Sequence, residues 1–204
     1  VPHLSILLSW VSYLSIASVS EPFLNFQWDA LLLEVYLISI FFVPWRVFHN
    51  KNNIESPSTI GKWLLWLLIM KLMLQSGIVK FTFFDVDGSN AWRDLTALEY
   101  HFWTQPIPSW LSYYFDKLPM VIDKIALFFT YVCELIIPFF ILLPRKMRRI
   151  AAILLILFQF LIILSGNYGF FNLLTIALCI SLFDDQYLRK FNFDLVTDGK
   201  PFLK

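Results

Sequence analysis

Six stretches of this chain, 4–19, 30–45, 63–79, 121–143, 150–164 and 170–183, are almost entirely apolar, and nothing else in it narrows the folding options as far. A helix needs about 20 mainly apolar residues to cross the hydrocarbon of a bilayer. Inside lipid only helices and closed barrels satisfy their own backbone polar groups. The fourth stretch meets the length requirement outright. The last two are short and separated only by residues 165–169, so they read as a tight hairpin or as a partly re-entrant pair. Charged residues make up 15% of the 204, and hydrophobic ones 58%. Soluble domains carry about 25% charged residues, so too little polar surface remains here to coat a soluble fold. The expected class is an all-α polytopic membrane protein: a bundle of five to six transmembrane helices over 1–185, surrounded by membrane lipids.

A net charge of +1 without a basic run excludes a nucleic-acid partner. Cys133 and Cys179 lie inside apolar runs and read as packing residues. No CxxC, paired-histidine spacing or glycine-rich phosphate loop occurs. The Asp85-Val86-Asp87-Gly88 turn lacks the further ligands and terminal Glu of a calcium loop, so no metal and no cofactor is expected. The chain begins at Val1 with no basic region before its first apolar run. It therefore reads as part of a longer protein, with 186–204 as a polar tail that starts a further region.

Basic residues set the expected orientation. Loop 46–62 holds Arg46, Lys51 and Lys62; loop 144–149 holds Arg145, Lys146, Arg148 and Arg149; tail 184–204 holds Arg189, Lys190, Lys200 and Lys204. The other side carries only Lys80, Arg93 and Lys117, all in loop 80–120. Both chain ends are thus expected in the cytoplasm, with loop 80–120 on the opposite side.

Charges inside spans are costly and mark a partner or a function. Lys71 and Glu134 lie near the middles of neighbouring spans, which predicts an intramembrane Lys71–Glu134 pair. Gln75 and Gln159 are expected to form interhelical hydrogen bonds, and Ser5, Ser9 and Ser12 to line a helix-packing stripe in 4–19. Asp29 is placed to cap the second span; Glu34, five residues on, lies on another helix face. Trp28 and Tyr36 suit the membrane interface.

Loop 80–120 concentrates the remaining polar residues. Within it, Trp92, Thr96 and Tyr100 recur at helical spacing, and Leu95, Leu98 and Phe102 form an apolar stripe. The spacing predicts a short interfacial helix over 91–103, ended before Gln105 because Pro106 disfavours helical geometry there. His101 is the one histidine placed to act as an acid or base; bonding a neighbour is its more common role.

Six segments, taken in order, resemble the lipase maturation factor family. They are FQWDALLLE (26–34), KLMLQSGIVK (71–80), WRDLTALEYHFWTQPIP (92–108), CELIIPF (133–139), FQFLIILSGNYGFFNLLT (158–175) and FDD (183–185). The motif positions carried over are Trp28, Asp29, Glu34, Trp92, Arg93, Asp94, Thr96, Tyr100, His101, Gln105, Pro106, Gly166, Asn167 and Asn172. The resemblance implies a non-enzymatic membrane protein that assists folding and assembly of client proteins such as lipases. It would lie in the endoplasmic reticulum membrane of a eukaryote, or in the inner membrane of a bacterium. The family is also described with a soluble lumenal domain after the membrane region, which disagrees with a cytoplasmic tail. Trp103 stands where the family pattern is acidic. Ala91 and Ala97 stand where animal members place cysteines, so no thiol exchange is implied for this loop. A second, more distant likeness is to the membrane domain of the vitamin-K-dependent carboxylase superfamily, through Gly77-Ile78-Val79-Lys80. On that reading the protein is an enzyme with Lys80 as base and His101, Arg93 and Asp94 nearby. The plainer alternative is that Lys80 snorkels from its helix end toward the headgroups.

Overall fold

A computed structural model describes residues 2–20, 23, 24, 26–43, 57–105, 107–166 and 168–188. Every regular element among them is helical: α1 (Pro2–Val19), α2 (Gln27–Phe42), α3 (Thr59–Thr82), α4 (Leu98–Thr104), α5 (Ser112–Asp116), α6 (Met120–Tyr131), α7 (Arg145–Ser165), α8 (Phe171–Ile180) and α9 (Asp185–Leu188). After α6 the helix continues as a π turn (Val132–Ile136) and a 3₁₀ stretch (Ile137–Leu142). Among the described residues, four helices are long and apolar enough to cross a bilayer: Pro2–Val19, Thr59–Thr82, Met120–Leu142 and Arg145–Ser165. The 16 residues of α2 are fewer, and the 10 of α8 fewer still. At about 1.5 Å per residue, α8 reaches about half of a hydrocarbon core of about 30 Å. The stretch 170–183 is therefore not a full crossing by itself. The chain is a polytopic helical membrane protein.

Two compact units divide the chain, 1–68 with 183–204 and 69–182. In the first, α1 packs against α2. Half-buried Ile6, Trp10, Tyr13 and Ala17 alternate three and four apart along α1, the stripe by which one helix seats on another. Ser5, Ser9 and Ser12 are exposed, so the expected serine stripe is not the packing face. Asp29 performs two tasks. Its Oδ2 accepts the Phe26 backbone N–H at 3.2 Å at the start of α2, and its Oδ1 accepts the Tyr13 hydroxyl at 2.6 Å. Ser58 begins α3 by accepting the Gly61 N–H at 3.0 Å. Gly61 has no substitute, because a Cβ there would strike the Phe41–Phe42 backbone.

In the second unit α7 lies against both α8 and the 3₁₀ stretch. Ile69, Leu127, Ile141 and Leu155 are wholly buried, as are Ala151 and Ala152. The change of helix type after Tyr131 has a local cause. Pro138 lacks an N–H and its ring opposes the carbonyl four residues earlier, that of Glu134, so α-helical bonding cannot continue through it. Gln159 and Asn172 are the polar centre of the α7–α8 pair, joined by Asn172 Nδ2 donating to Gln159 Oε1 at 2.8 Å.

Candidate functional site

The segment between α3 and α6 is tied down at both ends. At the first, Asn90 is buried and bonded through both ends of its amide: its Nδ2 donates to the Lys80 carbonyl at 2.9 Å. Its Oδ1 accepts the N–H groups of Trp92 and Arg93 at 3.0 and 3.1 Å. A side chain that occupies these donors competes with the helical ladder. The chain then turns so that Thr96 and Ala97 both donate to the Ala91 carbonyl, at 2.9 and 3.0 Å, with Leu95 at φ 59°. Helix therefore begins only at Leu98, and the expected helix over 91–103 is shorter than its periodicity suggested. Its end agrees with the pre-proline argument: Gln105 follows the last helical residue with extended geometry.

Gln105 forms the second tie. Its Nε2 lies 2.9 to 3.0 Å from the Ser165 and Phe102 carbonyls and from Ser112 Oγ. Ser112 Oγ donates to the Ser165 carbonyl at 2.6 Å, and Ser109 Oγ to the Leu164 carbonyl at 2.8 Å. The segment is thereby fastened to the end of α7. Gly166 admits this closeness, since a Cβ there would occupy the position of Gln105 Oε1.

Glu134 pairs with Lys80, not with Lys71. Lys80 Nζ donates to both carboxylate oxygens at 2.7 Å and to the Ser76 carbonyl at 3.1 Å, and it lies 5.0 Å from the centre of the Trp92 ring. The crossing point explains the choice. Gly77 faces Leu135 and Glu134 so closely that a Cβ would lie 3.1 Å from Glu134 Cβ. Lys80, three residues on, stands about 60° round the helix from Gly77, whereas Lys71, six back, stands about 120° away. Lys71 and Gln75 are exposed, so Gln75 does not act as buried interhelical glue. Comparing depths along two straight helices misses a pairing set by one close crossing and a π turn.

His101 and Lys80 both lie beside Trp92, the His101 ring 6.4 Å from the Trp92 ring centre to centre. His101 Nε2 lies 3.1 Å from the Tyr168 hydroxyl. Burial, with the Lys80 charge second, holds His101 below its usual value, so the ring is neutral at neutral pH. Burial likewise pushes the Tyr168 hydroxyl up. Tyr131 completes the surround by donating to the Trp92 carbonyl at 2.6 Å. Arg93 and Asp94 are exposed, with the Arg93 guanidinium 5.6 Å from the Phe84 ring.

An open pocket of about 550 Å³ adjoins this cluster, walled by Trp92, Tyr100 and His101, with Asp85, Ser89, Asp94, Thr96 and Thr104 as its polar groups. Ala91 and Ala97, which meet through their backbones, also line it. Lys80 does not. A base needs a lone pair to offer, and the Lys80 nitrogen directs three hydrogen bonds at three acceptors. The arrangement opposes the lysine-base enzyme and makes Lys80 an anchor. No set of His, Cys, Asp and Glu side chains among the described residues is grouped to hold a metal. Pro106 and Asn167 fall outside the described residues. Trp28, Asp29 and Glu34 belong to the first unit, the other described motif residues to the second. Asn90, Ser112, Tyr131 and Tyr168 escaped the sequence reading. Only Asn90 carried a signal there, an Asx turn just before Trp92.

The lipase maturation factor transmembrane domain matches residues 2–190. The chain belongs to the lipase maturation factor family. Lipase maturation factor 2 of Xenopus laevis is 41% identical over 187 residues, covering 91% of this chain and 26% of the relative. The Homo sapiens lipase maturation factor 2 is 37% identical over 191 residues, with 89% and 26% covered. Lipase maturation factor 1 of Mus musculus is 36% identical over 180 residues, with 88% and 30% covered. This chain therefore spans under a third of the length of these lipase maturation factors. No solved structure matches it significantly. Membership of the family lends no support to the carboxylase-like alternative.

Proposed function

We propose that this chain is the membrane domain of a factor that assists folding or assembly of secreted or membrane clients, lipases among them. The segment 83–119 is the part that meets the client. One observation carries this reading. The segment is held rigidly by Asn90, Gln105 and the Lys80–Trp92 contact, yet Trp103, Trp110, Tyr113 and Tyr114 stand exposed, Trp110 by 78%. Large rigid aromatics on a fixed backbone cost little entropy when they bury a partner's apolar surface. The four basic residues of 144–149, one crossing away from it through Met120–Leu142, support placing this segment on the non-cytoplasmic side. That side is the lumen of the endoplasmic reticulum in a eukaryote and the outer side of the inner membrane in a bacterium. The reading needs neither a cofactor nor a catalytic residue.

The test is made in the host, with the full-length protein. Deleting the gene is expected to lower secreted lipase activity. Restoring it with Trp103→Ala and Trp110→Ala is expected to recover membrane levels of the protein but only part of the lipase activity. Lipase output unchanged by the deletion overturns the proposal.

A further inference from the structure

The open pocket beside His101, about 550 Å³, falls within the roughly 300–1,000 Å³ common for small-ligand sites. Two of its lining residues, Asp85 and Asp94, are exposed. Among the described residues no hydrogen bond or ion pair engages either carboxylate. The charge around them is one-sided. Residues 83–104 hold four carboxylates, Asp85, Asp87, Asp94 and Glu99, against one cation, Arg93. Arg93 does not line the pocket; its guanidinium lies 5.6 Å from the centre of the Phe84 ring. Lys80 is absent from the walls too, and Glu134 balances its charge with both oxygens at 2.7 Å. His101 contributes a neutral ring.

The remaining large walls are aromatic, Trp92 and Tyr100. Tyr100 is 52% exposed, and its ring lies 6.0 Å from that of Trp103, so the pocket runs on into the exposed aromatics. Carboxylates beside aromatic faces attract a cation that can stack. A guanidinium suits them better than an ammonium, being planar, weakly hydrated and forked. A neutral ligand would leave the negative charge uncompensated, and an anion would be repelled.

From this arrangement we infer that the pocket receives an arginine side chain of the client, while the Tyr100–Trp103 pair takes an apolar residue beside it. Resting on the client surface proposed above, this assigns the recognised element as a short segment in which a basic residue adjoins an apolar one.

The full-length protein in detergent would be titrated against three fluorescein-labelled peptides that alternate leucine with arginine, glutamine or glutamate, with binding read by anisotropy. The arginine peptide is expected to bind about tenfold tighter than the glutamine peptide, as two exposed ion pairs and one cation–π contact together supply. The glutamate peptide should bind weakest. The double variant Asp85→Asn with Asp94→Asn is expected to abolish the arginine preference. It should leave glutamine-peptide binding and the thermal midpoint unchanged, because both side chains are exposed and unbonded. Asp87→Asn removes an equal charge outside the pocket walls and should lower the preference less than about twofold. Equal affinity for the arginine and glutamine peptides overturns the inference. So does a preference that survives the double variant, or one lost equally in Asp87→Asn, which would indicate a diffuse field and no pocket. If the glutamine peptide binds as well as the arginine one and both weaken in Trp103→Ala, the arginine site is refuted and the client surface stands. Binding of none of the three also refutes the arginine site, and the lipase secretion assay then judges the client surface separately.

Discussion

The α1–α2 hairpin and the 69–182 unit are equally apolar in sequence but differ in what their helices bury. In the hairpin two polar ties join the helices, Tyr13 to Asp29 and His3 Nε2 within 3.2 Å of the Val43 carbonyl, and only His3 and Asp29 are buried polar residues among those described. The 69–182 unit buries polar groups far inside, with Glu134 4% and Gln159 2% exposed, and each is met by a partner from another helix. Apolar surface makes a helix belong in lipid but does not choose its neighbour, since lipid tails serve it as well as another helix does. Buried polar partners do choose, because leaving one unpaired is costly. The 69–182 unit is thus the more specified half, and it carries the exposed aromatics of the proposed client surface.

The sharpest way to break this contrast is Glu134→Gln, which strands the Lys80 ammonium. It should cost about 3–5 kcal/mol, read as loss of monodisperse protein and a lower thermal midpoint in detergent. The double variant Lys80→Met with Glu134→Leu should recover most of that loss. Failure to recover would mean that the pair does more than hold the helices. Gly166→Ala forces Gln105 away from the end of α7 and should cost about 1–3 kcal/mol, with faster proteolysis of the 83–119 segment as the readout.

His101 gives the 69–182 unit a pH dependence. Its folded value lies below the ordinary 6.5, so the unfolded chain takes up the proton first. Stability is complete above about pH 6.5 and falls as pH drops from there toward the folded value. The thermal midpoint should decline across that window in the unaltered protein and decline less in His101→Gln. Identical slopes would remove His101 from the account.

In the hairpin, Tyr13→Phe removes one bond to Asp29 and should cost about 1 kcal/mol in the same melting assay. Lys71→Ala should cost less than Glu134→Gln, since Lys80 and not Lys71 meets the Glu134 carboxylate. A Lys71 effect as large as that of Glu134→Gln would reinstate the pairing expected from depth.

Much of the architecture was legible without coordinates. Stretches 4–19, 63–79, 121–143 and 150–164 correspond to helices long enough to span, because a run of apolar residues has few other stable forms in lipid. The end of α4 before Pro106 and the capping role of Asp29 were also readable, since both depend on residues within one turn. The sequence by itself thus determined the class of the protein, its helices, its family, and the segment where its polar residues gather. Tertiary structure decided which polar groups meet. Lys80 rather than Lys71 reaches Glu134 because Gly77 sets the crossing and Pro138 unwinds the helix beyond it. Gln105 reaches α7 only because Gly166 leaves it room. Asn172 meets Gln159 because α8 folds back on α7. Each of these depends on side chains distant in sequence arriving at one place, and periodicity along a single helix carries no record of that.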